Sequence, residues 1–228
     1  MSTFRFSLIG DYIPILLRYL PMTLALLLGT IVCSLLFGVV FHQVRAKKIP
    51  VLSQCLRVLM SFTRGVPVIV QLFITYFCLP VLLEPIGIDL SDVDGIYFVV
   101  LTYGLFYGSA VAENIRGSLS SVDPGQYQAA ATLGMTDFTA FRRIIFPQMF
   151  VVAFPNFINI YVGALKNTSL AFSVGVMEMV STGNMLGMRN MHYMEVYVSL
   201  ALIYFVIYLI FTKSLGLAAK RISRHAEA

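Results

Sequence analysis

Few polar groups interrupt the apolar runs of this chain, and those few are where chemistry can be done. Lys166-Asn167-Thr168-Ser169 follows a long apolar stretch. A lysine in such surroundings must face a cavity, a partner or an interface. The amide and hydroxyls after it can bond a polar solute, or can cap a broken helix through freed backbone groups. Gln71 lies just beyond Arg64-Gly65-Val66-Pro67, where glycine and proline break a helix start. Its buried amide needs a partner, either a neighbouring helix or a solute. Glu113 and Arg116 stand three residues apart and can pair as a structural clamp. Just before them, Tyr107-Gly108-Ser109-Ala110 supplies small residues for close helix approach.

Covalent and metal chemistry find less support. His42, His192 and His225 all fall in expected loops or the tail, so no nucleophile and base share a span. Cys33, Cys55 and Cys78 lack metal-ligand spacing and read as small packing residues, so no metal site is expected. No G-x-x-x-x-G-K-[ST] phosphate loop occurs, so any work driven by ATP would need a separate ATPase, and the alternative source of energy is an ion gradient. Glu113 is the only carboxylate expected deep within a span.

The elements that position these groups are helices in a bilayer. The 228 residues are 58% hydrophobic and 12% charged, with mean hydropathy +0.84. A soluble domain could not cover that much apolar surface. At about 20 residues per span, five spans and short loops fill the chain and leave no room for a soluble catalytic domain. The expected fold is an all-α integral membrane protein with five transmembrane helices. One transmembrane domain covers 1–228, its membrane-spanning core 12–215. No cleavable leader is expected. Residues 1–12 suit an interfacial segment. The spans are expected at about 13–41, 64–83, 95–115, 149–166 and 194–215. Leu52–Thr63 reads as a helix in the interface, leading into the second span.

Residues 123–148 are not membrane-like. Asp123 and Pro124 suit a helix start and Gly134 a helix end. Ala129, Ala130 and Leu133 are expected to share one small apolar face. A second helix should begin at Thr136 or Asp137, with Phe138, Phe141, Ile144 and Ile145 on its buried side and a break at Pro147. The whole unit suits docking into another protein.

Charge sets the orientation. With the N-terminus outside and the C-terminus inside, the cytoplasmic face receives Arg45, Lys47, Lys48, Arg57, Arg64, Arg116, Arg142, Arg143, Lys213, Lys220, Arg221 and Arg224. That is 12 of the 16 lysines and arginines. The acidic loop 84–94 then lies outside. The net charge of +5 is a topology signal, and no nucleic-acid partner is expected.

The stretch Gln128-Ala129-Ala130, Gly134, Ile144 and Pro147 resembles the E-A-A loop of ABC-transporter permeases, with Gln126 just ahead of it. Three further stretches resemble the polar amino-acid uptake branch of that family. They are Arg64-Gly65-Val66-Pro67 with Val70-Gln71-Leu72, Glu113 with Arg116-Gly117 followed by Pro124-Gly125-Gln126, and Lys166-Asn167-Thr168-Ser169-Leu170. Order and spacing agree over about 12–215. Val66 replaces a common threonine and Gln128 the glutamate, which removes a charge from the expected ATPase contact.

The resemblance implies a type I importer of the MetI-like fold in a bacterial cytoplasmic (inner) membrane. It implies a second permease copy or paralogue, two ATP-binding subunits carrying ATP and Mg²⁺, and an extracytoplasmic binding protein. This chain itself would hold no cofactor and be no enzyme. The cargo would be a polar amino acid, cystine among those the family carries. The implied coupling residues are Gln126, Gln128, Ala129, Ala130, Leu133, Gly134, Ile144 and Pro147. The candidate solute path is Gln71, Lys166, Asn167, Thr168 and Ser169, and the candidate framework is Arg64, Gly65, Pro67, Glu113 and Arg116. An ion-coupled carrier or channel is the alternative. It would need repeats and intramembrane carboxylates.

Overall fold

A computed structural model describes residues 4–226, with side chains through 219. The tail residues Lys220, Arg221, Arg224 and His225 lie outside the described side chains. Among the described residues the fold is helical. Five helical stretches are long and apolar enough to cross a membrane: Leu20–Ala46, Val68–Ile86, Gly95–Ser120, Asp137–Val174 and Tyr193–Ala219.

The first span starts later than the sequence suggests. α1 (Phe6–Leu17) is a separate helix, and α2 (Leu20–Ala46) is the span. The expected span from Ile13 therefore joins two elements. Pro21 has no N–H for the Leu17 carbonyl and restricts Leu20 before it, so the helix stops and restarts. α1 packs Tyr12 and Leu16 against Met179, Val196, Leu200 and Ile203.

α3 (Leu52–Gly65) is a separate helix where the sequence indicates one. The chain breaks at Val66-Pro67, and α4 (Val68–Phe73) and α5 (Leu79–Leu83) make the second span with a π turn, Ile74–Cys78, between them. α6 (Gly95–Ser120) is capped by Asp94, whose carboxylate accepts from Ile96 N–H at 2.9 Å. Then come α7 (Gly125–Thr132), α8 (Asp137–Ala140), a second π turn at Phe141–Ile145, and α9 (Phe146–Asn167). A 3₁₀ stretch, Thr168–Val174, leads to α10 (Met179–Asn190) and α11 (Tyr193–Ala226).

Pro147 does not break the helix there. Each π turn ends two residues before a proline, Pro80 or Pro147. The wider turn accommodates a ring that lacks an N–H, and the helix passes through it.

The core is the α2–α6 pair with α9 laid across it. Glycine is required where the two backbones meet. A Cβ on Gly38 would fall 2.2 Å from Val111, and one on Gly108 would fall 2.8 Å from the Phe37 Cβ. Leu26, Leu72, Val99, Tyr103, Val111 and Leu165 fill the space around this contact. The small-residue segment at Gly108 thus does what its composition indicates.

Candidate functional site

The break between α3 and α4 frees backbone carbonyls, and Gln71 meets them. Its Nε2 donates to Thr63 O at 3.1 Å and to Val66 O at 2.8 Å. Gln71 is 5% exposed, so the amide serves its own chain. Arg64 Nε donates to Met60 O at 3.0 Å and closes the last turn of α3. Thr63 links onward to Ser109 Oγ at 2.9 Å. Pro67 caps α4, whereas a Cβ on Gly65 would meet nothing within 4 Å.

Glu113 and Arg116 pair as expected, at 2.7 Å. A third member that the spacing does not reveal, Arg45, pairs with the other Glu113 oxygen. Arg45 arrives from the end of α2 and also reaches Met60 Sδ at 3.5 Å. The clamp therefore ties α2, α3 and α6.

The α9 end is built around two tyrosines. Tyr103 donates to Asn167 O at 2.7 Å, and Asn167 Nδ2 donates to Tyr107 Oη at 2.8 Å. Thr168 is fully buried, donates to Leu165 O at 2.7 Å and lies 3.5 Å from Tyr204 Oη. These groups terminate the helix. Ser169 Oγ donates to Lys166 O at 2.8 Å.

Lys166 behaves differently. It is exposed on the groove between α9 and α11, its Nζ 6.0 Å from the Tyr208 ring centre. It lines two adjoining cavities of about 280 and 350 Å³. Tyr204 lines both, and Ser169 the second. Lys166 makes no ion pair among the described residues. Of the five solute-path candidates, Lys166 and Ser169 face open volume, Gln71 and Thr168 bond backbone carbonyls, and Asn167 donates to Tyr107.

Two further carboxylates, one between spans and one at the start of the last span, are buried. Glu178 is 0% and Glu195 2% exposed. Glu178 accepts from Ser181 N–H at 2.9 Å, and its other oxygen receives Thr23 Oγ at 3.4 Å and Tyr204 Oη at 3.5 Å. Burial pushes its carboxyl up, and these donors together with Val180 N–H pull the other way. Glu195 accepts from Arg5 N–H at 2.9 Å and faces His192 Nδ1 at 3.1 Å. Both acids are committed to joints between helices. In the structure Glu178 and Ser181 form a reciprocal capping box, with the acid at the cap and the serine three residues on, the reverse of the usual order, so the sequence pattern does not announce it.

α7 is tied off as expected. Asp123 Oδ1 accepts from Gly125 N–H at 2.8 Å. Gly134 has φ +72°. Met135 N–H reaches Ala130 O at 3.1 Å and Gly134 N–H reaches Ala131 O at 3.0 Å, a Schellman end. Thr136 caps α8. The shared face is different from the expected one. Ala130 is 1% exposed and turned into the chain, while Ala129 and Leu133 are exposed, Leu133 at 79%. α7 folds back against α8 and the π turn, and that contact takes the Ala130 side. Phe138 and Phe141 are exposed and not buried, while Ile145 is fully buried and Ile144 half-buried. Gln126 is half-buried and Gln128 exposed. Leu133, Phe138 and Phe141 are thus apolar side chains that this loop leaves exposed.

A bundle of five candidate spans, with a lysine in a largely apolar groove at the end of α9 and a capped helix in the loop before it, is the architecture of a polytopic membrane subunit. The chain belongs to the binding-protein-dependent transport system inner membrane components, whose family profile matches residues 34–224. It is therefore a multi-pass inner-membrane permease subunit and not the ATPase. It is 41% identical over 224 residues to the L-cystine transport system permease protein TcyL of Bacillus subtilis, covering 98% of this chain and 94% of that one. It is 29% identical to the histidine/lysine/arginine/ornithine transport system permease protein HisQ of Salmonella typhimurium, covering 76% and 78%. Among solved structures, an amino acid ABC transporter with histidines matches with TM-score 0.83 at 28% identity, covering 96% of this chain and all of that one. The MetNI methionine transporter in an inward-facing form matches in fold, with TM-score 0.65 at 16% identity over 91% of this chain and 94% of that one.

Proposed function

We propose that this permease carries a polar amino acid inward, with cystine as the first candidate, as one half of an ATP-driven importer. The observation that carries the reading is Lys166. It offers an ammonium without a carboxylate partner among the described residues, in a groove of open volume lined also by Ser169, Tyr197, Tyr204 and Tyr208. Such a group suits the carboxylate of an amino acid. The relatives named for cystine and for basic amino acids support the substrate class.

The importer holds two permeases, identical or paralogous, two ATPases that bind ATP and Mg²⁺, and an extracytoplasmic binding protein. The exposed edge formed by Ala129, Leu133 and Phe138 is the ATPase contact, with Gln128 beside it. Gly134 shapes its end, and Ile144 and Pro147 join it to the span. Closure of the ATPases moves α7, and the spans rock as rigid bodies. The base-rich ends face the cytoplasm, with the N-terminus outside and the C-terminus inside.

Competition between cystine and other amino acids for uptake tests the cargo. Wild-type permease with its co-expressed binding protein and ATPase should take up cystine, and Lys166→Gln should lose most of that uptake while remaining in the membrane at wild-type amount. Undiminished uptake by Lys166→Gln would remove the groove from the path. An ion-coupled carrier would need a free intramembrane carboxylate, and the partners of Glu178, Glu195 and Glu113 argue against one.

A further inference from the structure

The turn between α2 and α3 concentrates positive charge, of which the bundle uses only Arg45. An open basin of about 570 Å³ lies there, lined by Arg45, Lys48, Gln54 and Arg57 with Val51 at its lip. From His42 to Leu83 the chain has Arg45, Lys47, Lys48, Arg57 and Arg64 and no acid. Glu113 neutralises Arg45. Lys48 and Arg57 make no ion pair among the described residues. The basin is therefore positive, and its occupant should be an anion.

Position narrows the choice. The 27 residues of α2 run about 40 Å at 1.5 Å each, against a hydrocarbon layer of about 30 Å, so the basic end reaches the headgroup layer. α3 turns Leu56 and Met60 into the bundle and leaves Val51, Leu52, Val58 and Phe62 exposed. Bases beside an open apolar face suit the boundary between headgroups and acyl chains. A soluble anion would match the charge and leave that face in water. A phospholipid satisfies both, with its phosphate at Lys48, Gln54 and Arg57 and its chains along Val51 and Val58.

We infer that this basin binds the phosphate headgroup of an anionic phospholipid. α3 leads directly into the Pro67 break, so a bound lipid would hold the entry to the second span in register with the membrane surface.

The chain contains no tryptophan, so a single one can report locally. Val58→Trp places it on the exposed face of α3, and Val206→Trp places a control on the exposed face of α11. The full-length permease is reconstituted in vesicles of mixed phosphatidylcholine and phosphatidylglycerol, with one or the other brominated. At position 58, brominated phosphatidylglycerol should quench with about fivefold preference. At position 206 the two lipids should quench alike. Adding Lys48→Gln and Arg57→Gln should bring position 58 to the control value, with quenching by phosphatidylcholine unchanged as the sign of an intact fold. Equal quenching at 58 by both lipids would overturn the inference, as would a preference that survives neutralisation. Loss of the preference on adding millimolar inorganic phosphate at constant ionic strength would assign the basin to a soluble anion instead.

Discussion

Glu178 and Gln71 show how single polar groups hold this fold open or closed. The folded Glu178 carboxyl lies above its ordinary value of 4.5 because burial disfavours the charge. The native state thus binds the proton more tightly than the unfolded one. Its contribution to stability is full below the unfolded value and is lost as pH rises through the raised one. Thermal melts of the purified permease should show that decline, and Glu178→Gln should flatten it; an unchanged slope would mean that the carboxyl is not the titrating group. Gln71 answers two buried carbonyls, and leaving such groups unpaired costs about 1–3 kcal/mol each. Gln71→Leu should therefore lower the melting temperature and uptake together, whereas Lys166→Gln should lower uptake alone. Uptake lost without any fall in stability of Gln71→Leu would move that residue back into the path. The sequence marks Gln71, Lys166 and Asn167 equally, as polar groups among apolar ones. It cannot say which amides find a partner within the fold, because that depends on carbonyls freed at the Pro67 break for Gln71 and on Tyr107 from another helix for Asn167. Arg45 was hidden as a partner of Glu113 for the same reason: the two lie 68 positions apart.

At the scale of elements, local chemistry was readable and orientation was not. Proline, glycine and capping residues placed α3, α7 and the α8 cap within a residue or two. The face of α7 came out differently because α8 and the following π turn cover the Ala130 side, which no periodicity within α7 reveals. That difference separates two substitutions. Ala130→Asp should damage the loop itself and reduce folded permease, since a carboxylate would be buried without a partner. Leu133→Asp should leave the permease folded and abolish ATPase co-purification, since Leu133 is exposed in the isolated chain. Normal ATPase recovery with Leu133→Asp would place the contact elsewhere. Within the bundle, Gly108→Val should fail to pack, because even a Cβ there would lie 2.8 Å from Phe37; overpacking of this kind costs about 1–3 kcal/mol and sometimes more. Membrane yield and melting temperature read that effect.

For the whole molecule, span number and helical class followed from hydropathy and length, while the split of α1 from α2 followed from Pro21 and is clear only once the break at Arg18-Tyr19 is seen. The orientation rests on the distribution of bases and is open to direct labelling. A cysteine at Ser91 in a cysteine-free background should react with an impermeant reagent in intact cells, and one at Lys47 only after permeabilisation. The same accessibility at both sites would contradict the proposed orientation. The central claim is that the chain passes its cargo at the expense of ATP hydrolysed on another subunit. The most direct measurement is amino-acid uptake into vesicles holding the permease and its co-expressed ATPase, with the binding protein outside, ATP inside and all ion gradients collapsed by ionophores. The account predicts uptake that requires both ATP and the binding protein and that disappears with Leu133→Asp. Uptake that persists without ATP and stops when the ion gradients are collapsed would contradict it.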